Sequence, residues 1–171
     1  MNIKIICFPK CSYDEIYGIE KKLEEQLNVD KSRITVVNQG KLPPAIMIDP
    51  SRNQYISERI LEYLSSQNDK NTIMIAVIKY DAYAYYYNFV FGHADPVNKV
   101  CAVYTSRLET GKRELYLERL SKEVLHEVGH VLGLYHCSDK SCVMSFSNNI
   151  FDVDKKTSRF CSKCKAVLGL K

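Results

Sequence analysis

Two hydrophobic periods alternate along the 171-residue chain. The run NIKIICF (2–8) is apolar and β-rich and predicts a strand. Ile16, Ile19, Leu23 and Leu27 then follow at helical spacing, so 13–28 reads as an amphipathic helix, opened by a capping box of Ser12 and Glu15. RITVVNQ (33–39) predicts a second strand, ended by Gly40, Pro43 and Pro44. Ile56, Ile60 and Leu64 predict a helix over 52–66. TIMIAVIKY (72–80) is apolar on both faces, as a central strand covered on both sides should be. YYYNFVFGHADP (85–96) reads as a shorter strand broken by Gly92 and Pro96, and KVCAVYTSRL (99–108) as another. A long helix runs from about 114 to 132. Strands alternating with helices imply an α/β architecture with a largely parallel sheet.

The long helix changes character along its length. Leu117, Leu120 and Val124 mark a core stripe, while Glu118, Arg119, Ser121, Lys122 and Glu123 predict wet early turns. From Val124 onward almost every position is apolar or glycine except His126, Glu127 and His130. A helix apolar on all sides is buried, and unpartnered polar groups there are costly. That combination marks a site.

His126 and His130, four residues apart, share one helix face about 6 Å apart along the axis, and two such imidazoles can bind one zinc. Glu127 points about 100° away, towards a water on the metal rather than the metal itself. Gly133 is placed to stop the helix in the left-handed region, after which His136 can swing back as a third ligand. Three protein ligands leave a fourth position open, as catalytic zinc sites do. Gly129 inside the helix implies close packing against the sheet.

Cysteine usage adds a second candidate. Cys137 and Cys142 are followed by Cys161 and Cys164 in CSKC, the pairwise spacing of a closed four-cysteine zinc site. A redox Cys-x-x-Cys would leave Cys137 and Cys142 without a role, and a zinc-ribbon-like nucleic-acid module is a further alternative. Cys7 and Cys11 read as a buried strand cysteine and a loop thiol, and Cys101 as core. The formal charge of +4 is mild and its lysines are scattered, so neither nucleic acid nor a membrane surface is an expected partner. The start of the chain lacks a signal-peptide pattern, and no apolar run is long enough to span a membrane. A cytoplasmic location with reduced thiols is expected. Oligomeric state is not legible.

The stretch HEVGHVLGLYHC, then Cys142, Met144 and CSKC, resembles the archaemetzincins, a metzincin-clan family of zinc metallopeptidases. The resemblance implies a metzincin-like zincin fold with an antiparallel edge strand around 88–95, an active-site helix and a small zinc-stapled C-terminal subdomain. One domain (1–171) then divides into an N-terminal subdomain (1–136) and a C-terminal one (137–171). It implies two zinc ions per chain, one catalytic on His126, His130 and His136 and one structural on Cys137, Cys142, Cys161 and Cys164. Glu127 would take a proton from a water on the catalytic zinc, Met144 would be the methionine-turn residue beneath it, and His93 either touches substrate or faces solvent from a loop. The implied substrates are peptides, trimmed from the amino terminus, rather than bulk protein. Phe146 departs from the pattern of those metzincins that carry a tyrosine two residues after the methionine, so the oxyanion donor is unassigned. No inhibitory pro-segment is visible, which leaves a narrow cleft or restricted substrate as the expected restraint. A non-catalytic, zinc-stabilised peptide-binding protein is the competing reading.

Overall fold

The computed structural model describes residues 1–170. In chain order the elements are β1 (Asn2–Phe8), α1 (Tyr13–Leu27), β2 (Ile34–Asn38), β3 (Ile48–Asp49), β4 (Gln54–Ile56), α2 (Ser57–Ser65), β5 (Thr72–Ile78), β6 (Ala82–Tyr83), β7 (Gly92–Asp95), β8 (Val100–Tyr104), α3 (Arg113–Val131), α4 (Ile150–Lys155) and α5 (Ser162–Val167). The main sheet has the order β2-β1-β5-β8-β7. Its first four strands run parallel, and β7 pairs antiparallel with β8 at the edge, His93 opposite Ala102. A second sheet of three very short strands, β3-β4-β6, lies apart. The α/β reading and its antiparallel edge strand both hold.

Both faces of the sheet are covered because β5 and β8 are apolar on both sides. Ile73, Ile75, Val77, Cys101 and Val103 face the core shared with α1 and α3, while Met74, Ala76, Ile78, Ala102 and Tyr104 face the core shared with α2. The Glu15 carboxylate accepts from the Ser12 amide at 2.7 Å, fixing the start of α1. The tail does not build a core of its own: Cys142, Val143, Met144, Val153 and Phe160 join the α1–α3 side of the main core.

Several expectations are corrected. The second helix begins at Ser57 rather than 52, because Asn53 turns the chain at φ 54° and Gln54–Ile56 pair as a strand with β3 and β6. The edge strand starts at Gly92 instead of being broken there, and 85–91 is loop. The early turns of α3 are not wet on the side expected: Arg119, Ser121, Lys122 and Glu123 are all buried. The segment around α4 covers Arg119, Lys122 and Glu123, while Ser121 lies towards Gly18 of α1. Arg119 makes two 2.7 Å hydrogen bonds to Asp154, and Lys122 Nζ donates to the carbonyls of Val153 and Asp154. Cys7 and Cys11 are not separate thiols but form a disulfide around Pro9. Cys101 is fully buried in β8, as expected. Among the described residues no helix is long and apolar enough to cross a membrane.

Candidate active site

The last turn of α3 is closed by hydrogen bonds from Gly133 N to His130 O and from Leu134 N to Gly129 O, both 2.9 Å, with Gly133 at φ +93°. This Schellman arrangement satisfies two orphan carbonyls and reverses the chain, so that His136 returns over the helix end. The three imidazoles then converge, with ring centroids 4.7 to 5.4 Å apart. One nitrogen from each lies within 4.8 Å of the others.

Tautomers follow from the partners. A carbonyl oxygen only accepts, so the 2.7 Å contacts of His126 Nδ1 to Val143 O and of His130 Nδ1 to Leu134 O place a proton on each Nδ1. Both Nε2 atoms therefore present lone pairs, and they face each other at 3.1 Å. Two acceptors cannot hydrogen-bond to one another, but a shared cation turns their repulsion into two bonds. Nitrogens at about 2.0–2.1 Å in a tetrahedral shell sit about 3.3 Å apart, close to that spacing. Burial lowers the basicity of all three histidines, His126 most, which keeps them neutral and able to ligate. The donor set fits zinc.

Glu127 is buried one residue along, its carboxyl pushed well above the usual range by desolvation and by Glu123, with Lys156 opposing. It leans on the edge strand: a Cβ at Gly92 would come within 2.5 Å of Glu127 Cγ and Oε1. Gly129 does not pack against the sheet as expected. A Cβ there would collide with Met144 Sδ and meet Phe160 at 3.2 Å, so the glycine makes room for the turn beneath the histidines. That turn is tied in twice, through Val143 O to His126 and through Met144 O, which accepts from Cys137 N at 2.9 Å.

Cys137, Cys142, Cys161 and Cys164 also converge within 4.8 Å. The Sγ atoms of Cys137 and Cys161, and of Cys142 and Cys164, are 3.7 Å apart, close to the roughly 3.8 Å edge of a tetrahedron with bonds of about 2.3 Å. The Cys164 amide draws the Cys161 thiol down to about 7, towards the thiolate that a metal requires. These four fit zinc without an open position.

A cleft of about 620 Å³ runs along β7 past Glu127 and the three histidines, with Tyr87 and Phe146 on its lining. Its floor also includes Glu123 and Lys156, which the sequence did not flag. Glu123 stands one helical turn before Glu127, a spacing that was available as a signal; Lys156 carried none. His93 is not a loop residue facing solvent. It sits in β7, half-buried on the cleft lining, with Nδ1 3.1 Å from Ser57 Oγ, and burial lowers its basicity.

The sequence model of peptidase family M54 matches residues 3–169. The chain belongs to peptidase family M54. The archaemetzincin of Aeropyrum pernix is 47% identical over 133 residues, covering 75% of this chain and 73% of that one. The crystal structure of an archaemetzincin from Methanopyrus kandleri superposes with a TM-score of 0.87 at 32% identity, covering 99% and 93% of the two chains. A zinc-dependent peptidase from Methanocorpusculum labreanum superposes at 0.88 and 25% identity, covering 98% and 100%. As an M54 peptidase the chain is a zinc metallopeptidase of the archaemetzincin type, acting on peptides. Membership favours hydrolysis over the non-catalytic peptide-binding reading.

Proposed function

We propose that one zinc is held by Nε2 of His126, Nε2 of His130 and a ring nitrogen of His136, that Glu127 is the general base, and that a second, structural zinc is held by the four cysteines. The observation that carries this reading is the pair of Nε2 lone pairs facing each other at 3.1 Å beside a buried carboxylate in a cleft. Held by these imidazoles, zinc would supply Lewis acidity towards a water and the scissile carbonyl. Glu127 accepts the proton of the attacking water and returns it to the departing amine. Met144 is the methionine-turn residue. His93 and the free edge of β7 touch the extended substrate, which adds to the sheet as a further strand.

Residues 1–136 and 137–171 act as two subdomains divided by the cleft. Small peptides, trimmed at their amino ends, are the proposed substrates, since a cleft of this volume holds only a few side chains. The protein works in the cytoplasm on this reading. The test is Glu127→Gln. Bound zinc, measured by elemental analysis, should stay at the wild-type level while peptide hydrolysis falls by about 10²–10⁴-fold. Unchanged turnover removes Glu127 from the mechanism.

A further inference from the structure

Aromatic side chains crowd the mouth of the cleft rather than its floor. Tyr87, from the loop before β7, and Phe146, just past the Met144 turn, both line the cleft yet stay 54% and 37% exposed. Their ring centroids are 6.5 Å apart, and the Phe146 ring lies 5.0 Å from that of His136. Rings at these separations attract one another. The pair thus joins two segments far apart in sequence, directly beside a proposed zinc ligand. Tyr135, 90% exposed, adds a further ring to the lining next to His136. Large apolar surface left open around a cleft marks a place where a ligand is received.

The loop that carries Tyr87 is fixed rather than loose. Tyr87 N donates to Ala84 O at 3.0 Å and closes a turn whose third residue, Tyr86, sits at φ 74°. Turns place glycine in that left-handed region, where a side chain is strained. The Tyr86 side chain is fully exposed, so no packing within the protein offsets the cost. Strain of this kind collects at ligand sites. Tyr85 N donates to Glu58 Oε1 at 2.8 Å and Val90 N to Ala82 O at 3.0 Å, which pins the loop on either side of Tyr87. Charge then decides what the rings receive. Glu123, Glu127 and Lys156 on the cleft lining are buried, Glu123 pairs with Lys156 at 2.8 Å, and Glu127 is assigned to the attacking water. A charged substrate side chain at the mouth finds no counter-ion among them, and a small one leaves the ring faces wet. A large apolar side chain entering between Tyr87 and Phe146 replaces the contact that its entry breaks and covers both faces.

We propose that Tyr87 and Phe146 form a clamp that selects an aromatic or large aliphatic substrate side chain next to the scissile bond. This rests on the peptidase reading of the neighbouring residues. The closeness of Phe146 to His136 sets the position: a side chain held there belongs to a residue adjoining the carbonyl that the zinc would polarise. The clamp discriminates by apolar area, so the selectivity it gives is graded, with phenylalanine ahead of leucine and leucine ahead of alanine.

The test uses zinc-loaded protein and one peptide scaffold carrying Phe, Leu, Ala, Glu or Lys at each position in turn. At a position adjoining the cleaved bond, kcat/KM for Phe should exceed that for Ala, Glu and Lys by about tenfold or more. Tyr87→Ala and Phe146→Ala should each lower the Phe-to-Ala ratio by about threefold or more, whereas Tyr87→Phe should keep it, since a ring remains. The ratio separates the clamp from a general loss of activity, and the melting temperature checks the fold of each variant. Calorimetric binding of the same peptides to zinc-loaded Glu127→Gln protein should give the same ranking without turnover. Cleavage with no preference for Phe, or with Lys or Glu preferred, overturns the clamp and leaves the peptidase reading intact. A Phe preference that survives both alanine variants also overturns it, because the selecting surface then lies elsewhere. No cleavage of any peptide, with Phe still ranked first in binding and that ranking lost in Tyr87→Ala, supports the clamp and counts against the assigned catalysis. No cleavage and no ranking in binding overturns the clamp. If one alanine variant does not fold, the other decides.

Discussion

Glu127 owes its place to a residue that carries no chemistry. Gly92 leaves no room for a Cβ against the Glu127 side chain, which is buried apart from its face on the cleft. In Gly92→Ala the carboxylate must leave its seat, while the histidines, held by Val143 and Leu134 carbonyls, do not depend on that contact. We expect kcat to fall by about 10²-fold with zinc content unchanged, since small displacements of a catalytic group cost that much. Steady-state kinetics beside elemental analysis checks it, and a variant of full activity would show that Glu127 has slack. The histidines themselves were legible because their spacing is local: four residues on a helix and a glycine stop suffice. Gly92 was misread as a strand breaker, since the side chain that demands it arrives from an element 35 residues further on. Lys156 was invisible for the same reason.

Among the elements, α3 shows how far periodicity carries. Its boundaries were readable to within a residue, its buried face only in part. Arg119, Lys122 and Glu123 look like a solvated surface in sequence, yet each is paired by a group near α4, namely Asp154, the 153–154 carbonyls or Lys156. Binary pattern cannot reveal a polar face that is satisfied by a remote segment. The Arg119–Asp154 pair clamps α4 on α3, and the guanidinium holds the Asp154 carboxyl below its usual range. A depressed carboxylate adds stability above the pKa of the unfolded chain, about 3.9, and loses it as pH falls through the lower folded value. Asp154→Asn should therefore destabilise the neutral protein by about 1–2 kcal/mol and flatten the acid limb of a melting-temperature-against-pH curve. An acid limb as steep as the wild type's would mean that other carboxylates govern it. The 52–66 helix prediction holds from Ser57 to Ser65 but missed its start: Ile56 fits the helical stripe but is claimed by a strand pairing that no local signal announces.

At the level of the whole molecule, two clusters of ligand-type side chains share a border at His136 and Cys137. On the proposed assignment wild-type protein carries two zinc ions. Replacing Cys161 and Cys164 together with serine should release one and weaken retention of the other, because Cys137 and the Met144 turn lose their anchor. Elemental analysis after graded chelation reads both effects, and a variant that keeps wild-type affinity at the histidines would separate the two sites. The architecture of sheet, edge strand and long helix was legible as an α/β alternation. That the tail packs into the main core was not, since its apolar residues are too few and too scattered to form a pattern.

The same border bears on timing. A ribosome makes the three histidines before it reaches Cys161 and Cys164, so a nascent chain already holds every proposed ligand of the hydrolytic centre. It does not yet hold what fixes the third. His136 is followed at once by Cys137, whose amide bonds to Met144 O and whose thiol joins the cysteine cluster, so on the proposed assignment these anchors are complete only after synthesis has passed Cys164 and the tail has folded back. On that assignment the hydrolytic centre would be completed last, after the whole chain is made.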